Sequence, residues 1–154
     1  MKKSAGILVY RLRSKVLEVF LVHPGGPFWK NKDDGAWSIP KGEFMDDEDP
    51  LEAAKREFEE ETGIKISGKF IELNPIKQKS GKTVYAWAVE GNIDPSKIKS
   101  NEFEMEWPPK SGKMKTFPEI DKASWFNLNE ARKKIIEAQS SLIRELETNL
   151  NLNT

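Results

Sequence analysis

The chain has 154 residues, of which 37% are hydrophobic and 32% charged, with a formal net charge of +0 and no cysteine. This length supports one core, so residues 1–150 are expected to form a single domain and residues 151–154 a frayed tail. The composition excludes disulfides and thiolate metal sites, argues against a bulk polyanion binder such as a nucleic-acid partner, and offers only strand-sized apolar runs, none of them a membrane span.

Charge is nonetheless segregated: residues 41–64 are acidic and residues 110–115 (KSGKMK) basic. Arg11 and Arg13 interrupt the apolar N-terminus, which therefore reads as a strand rather than a secretory leader and points to the cytoplasm. Residues 5–11 and 16–22 are apolar runs around a polar turn, the pattern of a β-hairpin. Residues 23–36 are rich in Pro, Gly, Asn and Asp and form a loop long enough to suggest a function. His23 reads as a loop or capping residue. Residues 37–39 are expected to be a short strand that delivers Pro40, Lys41 and Gly42.

A helix follows. Asp49 is a natural N-cap, Pro50 suits the first turn, and Glu52 has the capping-box spacing. Leu51, Ala54 and Phe58 make an apolar stripe, and Gly63 is the expected left-handed cap after Thr62. Residues 68–77 and 82–90 read as strands around a turn at 78–81, with Tyr85 and Trp87 on one core-facing side. Residues 91–100 are a loop, residues 102–107 alternate as a half-exposed strand does, WPPKSGK opens a second loop that runs over 107–119, and residues 123–126 are a short strand. Asn127, with Glu130 in capping-box position, starts a C-terminal helical region. There Leu128, Ala131, Ile135, Ala138 and Leu142 share a face, over one helix or two.

Glu57, Glu60 and Glu61 stand at i, i+3 and i+4, hence on one helical face, about 100° round from the apolar stripe. Like charges so spaced repel by roughly a few tenths of a kcal/mol per pair, a cost that a divalent cation removes. All-oxygen ligation favours Mg²⁺ or Mn²⁺ over Zn²⁺. Spacing alone leaves open a plainly solvated acidic face.

The wider pattern runs from Gly42 through Glu48, Arg56-Glu57, Phe58 and Glu60-Glu61 to Gly63 and Ile64. At every defined position it resembles the Nudix box, the signature of the Nudix hydrolases. The resemblance implies an α/β/α sandwich with a mixed β-sheet, a loop-helix-loop catalytic motif and a C-terminal helix. It also implies Mg²⁺-dependent hydrolysis of a nucleoside diphosphate linked to another group. Carried over by position, Glu57, Glu60 and Glu61 are the metal-binding glutamates, and the Lys41 carbonyl is a further ligand. Gly42, Glu48, Arg56 and Gly63 are structural or orienting. A later glutamate assists in many relatives. Glu119 is preferred here over Glu104 and Glu106, because it precedes a Trp-containing strand.

Residues 37–42 (WSIPKG) resemble the W-x-x-P-K-G lead-in of the diadenosine tetraphosphate hydrolase-like subgroup. Lys41 is placed to reach a phosphate. Lys110, Lys113 and Lys115 offer point charges to a polyphosphate, and Phe28 and Trp29 offer rings to a base. The expected partner is therefore a nucleotide substrate, for a monomer or a homodimer. The substrate expected is a (di)nucleoside polyphosphate such as diadenosine tetraphosphate, cleaved to ATP and AMP. Alternatives are ADP-ribose or another nucleotide sugar, an oxidised nucleoside triphosphate, capped RNA or, in another class, a non-catalytic nucleotide-sensing module.

Overall fold

The computed structural model describes residues 2–150; the tail expected to fray, residues 151–154, lies outside the described residues. Strands β1 (Lys3–Arg13) and β2 (Val16–Pro24) form the expected hairpin. Ser14 and Lys15 turn it with φ of 52° and 68°, the paired positive values that a two-residue type I′ turn requires. The hairpin pairs only near this turn, from Tyr10–Val19 to Arg13–Val16. Towards its open end the strands part, and the WSIPKG segment enters the gap. Ser38 exchanges both backbone hydrogen bonds with Val22, at 2.9 and 3.0 Å, and the Pro40 carbonyl accepts from Ile7 at 3.1 Å. Strand β3 (Lys41–Glu43) then pairs antiparallel with residues 4–6 of β1. Residues 37–43 are thus clamped on both flanks, which fixes where Lys41 and Gly42 sit.

Helix α1 (Pro50–Thr62) begins and ends as its residues dictate. The Asp49 carboxylate accepts from the Glu52 N–H at 3.1 Å. Gly63, at φ 75°, donates to the Glu59 carbonyl, as a left-handed C-cap should. Beyond it, β4 (Ile71–Glu72) and β5 (Ile76–Lys77) both pair antiparallel with β6 (Thr83–Glu90). The single strand expected over 68–77 is therefore two. Pro75 has no N–H to give the ladder, and Asn74 gives its own to Glu145 at 2.8 Å.

All of β6 runs parallel to β1, from Thr83 opposite Lys3 to Glu90 opposite Tyr10. β9 (Ile120–Asn127), longer than the expected 123–126, closes the other side against β2, so the main sheet is mixed, in the order β4-β6-β1-β2-β9. Between β6 and β9 lie β7 (Glu102–Glu106) and β8 (Met114–Pro118), which pair only with each other. β8 was expected to be loop. The C-terminal region is two helices, α2 (Leu128–Lys134) and α3 (Ser140–Asn149). They are broken where Ile136 donates to the Trp37 carbonyl at 2.8 Å.

Alternation along β1 sorts the core into two layers. Leu8 and Tyr10 face Ala131, Ile135, Leu142, Ile143 and Leu146 of the C-terminal region. Ala5, Ile7 and Val9 face Ala53, Ala54 and Phe58 of α1. The result is an α/β/α sandwich whose central strands are apolar on both faces.

Candidate active site

Docking through Ala53, Ala54 and Phe58 turns the next face of α1 toward β3. Glu57 lies directly against Gly42; a Cβ on that glycine would fall inside the carboxylate. Glu61 accepts a hydrogen bond from the Lys41 N–H at 3.3 Å. Glu60, further round the helix, is exposed. Arg56 ties the acids together. It reaches Glu48 with Nε and Nη2 at 3.1 and 3.2 Å, Glu57 at 2.8 Å and Glu60 at 3.2 Å.

The donor set suits a hard divalent cation: carboxylate oxygens on one helical face, with a glycine cradle beside one of them. As placed, no three acids or histidines among the described residues are grouped to enclose an ion. Glu57 and Glu60 lean on Arg56, and Glu61 on the Lys41 N–H. Burial pushes the Glu61 carboxyl up from 4.5 to about 8, although the Lys41 N–H and ammonium oppose the shift. Burial and then the Glu60 charge raise Glu57 too, with Arg56 opposing.

A pH dependence follows. The folded chain holds the Glu61 proton up to about pH 8, whereas an ordinary carboxyl near 4.5 has already lost it. The native state then binds more protons, so stability falls as pH rises between these values. In chelator, Tm is expected to drop by roughly 5–10 °C between pH 5 and pH 8.5 beyond the trend of a Glu61→Gln control. Equal slopes in the two proteins would remove Glu61 as the cause.

Glu61, Lys41 and Glu119 line one cleft of about 210 Å³ with Trp29, Ser38 and Ile39. Glu119, in the bend between β8 and β9, is near enough to Glu57 and Glu61 to raise both carboxyls. The other late glutamates are elsewhere. The Glu106 carboxylate accepts the N–H groups of Lys110 and Gly112 at 2.9 and 3.0 Å, closing the tip between β7 and β8. Glu104 is exposed on β7. Trp29 sits at the cleft wall with the Lys32 ammonium 5.2 Å from its ring. Lys110 and Lys113 are at the β7–β8 tip, and Lys115 lies on β8 rather than in a loop.

Two buried polar residues that position the cleft escaped the sequence. His23 is fully buried, its Nδ1 2.7 Å from Asp121 and its Nε2 2.6 Å from the Lys32 carbonyl. It therefore fastens the 23–36 loop to β9. Gln139 accepts from the Ile39 N–H at 3.1 Å and donates to Ser38 Oγ at 3.0 Å. A histidine beside a proline and a glutamine in the polar stretch between α2 and α3 carry no local signal of burial.

A family model described as the NUDIX domain matches residues 2–146. The chain belongs to the Nudix family. The asymmetrical bis(5'-nucleosyl)-tetraphosphatase of Rattus norvegicus is 42% identical over 60 residues, covering 35% of this chain and 41% of that protein. The chain thus spans less than half the length of that relative. A crystal structure of a C. elegans Ap4A hydrolase binary complex matches with a TM-score of 0.67 and 23% identity, over 98% of both chains. The NUDIX domain of Shewanella oneidensis NrtR, complexed with ADP ribose, matches with a TM-score of 0.66 and 15% identity, over 96% of this chain and 87% of that one. Both solved structures share the Nudix fold with this chain. No helix among the described residues is long and apolar enough to cross a membrane.

Proposed function

We propose that this hydrolase of pyrophosphate bonds cleaves a dinucleoside polyphosphate such as diadenosine tetraphosphate to ATP and AMP, with residues 1–150 as its catalytic domain. The observation that carries this is the cleft that Lys41, Glu61 and Glu119 line together with Trp29. It sets an ammonium, two carboxylates and a stacking surface within one nucleotide's reach. The rat tetraphosphatase resemblance and the WSIPKG lead-in support the substrate.

Glu57, Glu60, Glu61 and the Lys41 carbonyl are the residues to hold Mg²⁺, or Mn²⁺ in its place. Such an ion, when bound, supplies charge neutralisation at the phosphates and a water of lowered pKa. The chain's own groups do the rest. Arg56, braced by Glu48, sets the directions of Glu57 and Glu60. The Glu119 carboxylate takes a proton from the attacking water, the role of a general base. Lys41 places a charge on a phosphate oxygen, and Lys113 another further out. Trp29 stacks the base next to the cleft.

Incubation with Mg²⁺ and diadenosine tetraphosphate, ADP-ribose, ATP or an oxidised nucleoside triphosphate, with products separated by ion exchange, tests this. The dinucleotide is expected to have the highest kcat/KM, with ATP and AMP formed in equal amounts. Preference for ADP-ribose would overturn the substrate, and tight binding with no turnover of any compound would make the chain a sensor. Glu60→Gln is expected to lower turnover by about 10²-fold or more without changing Tm by more than a few degrees. A near-normal rate would leave that glutamate as solvated surface.

A further inference from the structure

Residues 102–118 form an arm apart from the main sheet. Its register pairs Phe103 with Phe117 and Met105 with Lys115. One step on, the Trp107 N–H donates to the Lys113 carbonyl at 2.9 Å, so Lys113 stands opposite Trp107. Residues directly opposite in an antiparallel pair share a face. One face of the arm therefore carries Phe103, Met105 and Trp107 with Lys113 and Lys115, and the other carries Glu102, Glu104 and Glu106. The aromatic, cationic face is turned to the 23–36 loop. Phe103 lies against Gly26, and Trp107 meets Phe28 edge-on with ring centroids 5.6 Å apart.

This face continues the cleft. Glu119 ends the arm, and its carbonyl accepts from the Gly25 N–H at 2.8 Å. Trp29 lines the cleft, while its neighbour Phe28 is 61% exposed beside Trp107. The hydrogen bonds of Glu106 fix the tip in advance. An exposed ring beside a half-exposed one, with ammonium groups on the same face, is complementary to a nucleotide, whose base stacks and whose phosphates are anionic.

We propose that the inner face of this arm is a second nucleotide subsite: Phe28 and Trp107 take the distal nucleobase, and Lys113 and Lys115 the phosphates leading to it. This rests on the dinucleoside polyphosphate reading and adds that the distal nucleoside is held by protein.

The probe pair is diadenosine tetraphosphate and adenosine 5'-tetraphosphate, which has the same phosphate chain but no distal nucleoside. Phe28→Ala and Trp107→Ala are expected to raise KM for the dinucleotide about tenfold, with kcat within about twofold and the mononucleotide unaffected. Lys113→Ala combined with Lys115→Ala is expected to raise KM for both compounds. Thr116→Ala, on the outer face, is expected to alter neither. Phe28→Ala, at so exposed a position, keeps the test valid if Trp107→Ala unfolds, as a Tm scan will show. Unchanged KM in Phe28→Ala, or an equal rise for both compounds, overturns the subsite while the hydrolase reading stands. A wild-type protein that cleaves neither compound removes the dinucleoside reading and the subsite with it.

Discussion

Glu61→Gln is expected to lower kcat by about 10³-fold and, in chelator above pH 8, to raise the Tm of the protein. The two effects have one cause. Glu61 is half-buried beside β3 with the Lys41 N–H as its hydrogen-bond donor, and the loss of solvent outweighs that donor and the nearby ammonium. Ionising the carboxyl therefore costs folding free energy, as for any buried charge without full compensation. Glutamine has the same shape and still accepts from Lys41, yet carries no charge to desolvate. A structural glutamate behaves in the opposite way, because its removal lowers Tm along with activity. Stability kept below its maximum for the sake of a charged site is a familiar exchange in enzymes. Steady-state kinetics with Mg²⁺ and Tm at pH 9 in chelator are the measurements. A variant both less stable and less active would make Glu61 a scaffold residue.

The parts of this protein that were legible in its sequence are those specified within one turn of chain. Asp49, Pro50 and Gly63 announce the ends of α1, because caps satisfy backbone groups three or four residues away. The spacing of Glu57, Glu60 and Glu61 places them on one face for the same local reason. β8 was not legible: Met114, Lys115 and Thr116 are all exposed, whereas its partner β7 alternates exposed and half-buried residues and was read from that alternation. With no buried face, alternation has nothing to report. The break between α2 and α3 is set by Trp37, about a hundred positions distant, whose carbonyl takes the Ile136 N–H. The apolar residues on either side, Ala131, Ile135 and Leu142, still pack on one core and so mimic an unbroken helix. His23 and Gln139 were missed because their partners, Asp121, Lys32, Ser38 and Ile39, converge only in the folded chain. Glu119 was within reach, since its position before the strand holding Trp125 could be read directly, whereas its approach to Glu57 and Glu61 could not.

Gly42→Ala is expected to lower kcat/KM by about 10²-fold or more while costing about 1–3 kcal/mol of stability. Gly42 lies in β3, opposite Ala5, between two segments of main chain that are hydrogen-bonded to β1. The backbone there has little freedom to withdraw. An added Cβ meets the Glu57 carboxylate, its carbon as well as its oxygen, so the side chain has to give way. Moving it breaks the 2.8 Å bond from Arg56, which also holds Glu60 and Glu48. One methyl group thus disturbs the whole acidic face without touching the core. Gly63→Ala is the control. It strains a residue at φ 75° and presses on the Lys99 carbonyl, but touches none of the acids. It is expected to lose about 1 kcal/mol or more of stability, as alanine forced to positive φ does, with kcat/KM per folded molecule unchanged. Denaturant melts and initial rates on both variants decide the matter. If Gly42→Ala loses only stability, as Gly63→Ala does, then close approach of β3 to Glu57 is a packing detail, and the orientation of that glutamate comes from Arg56 alone.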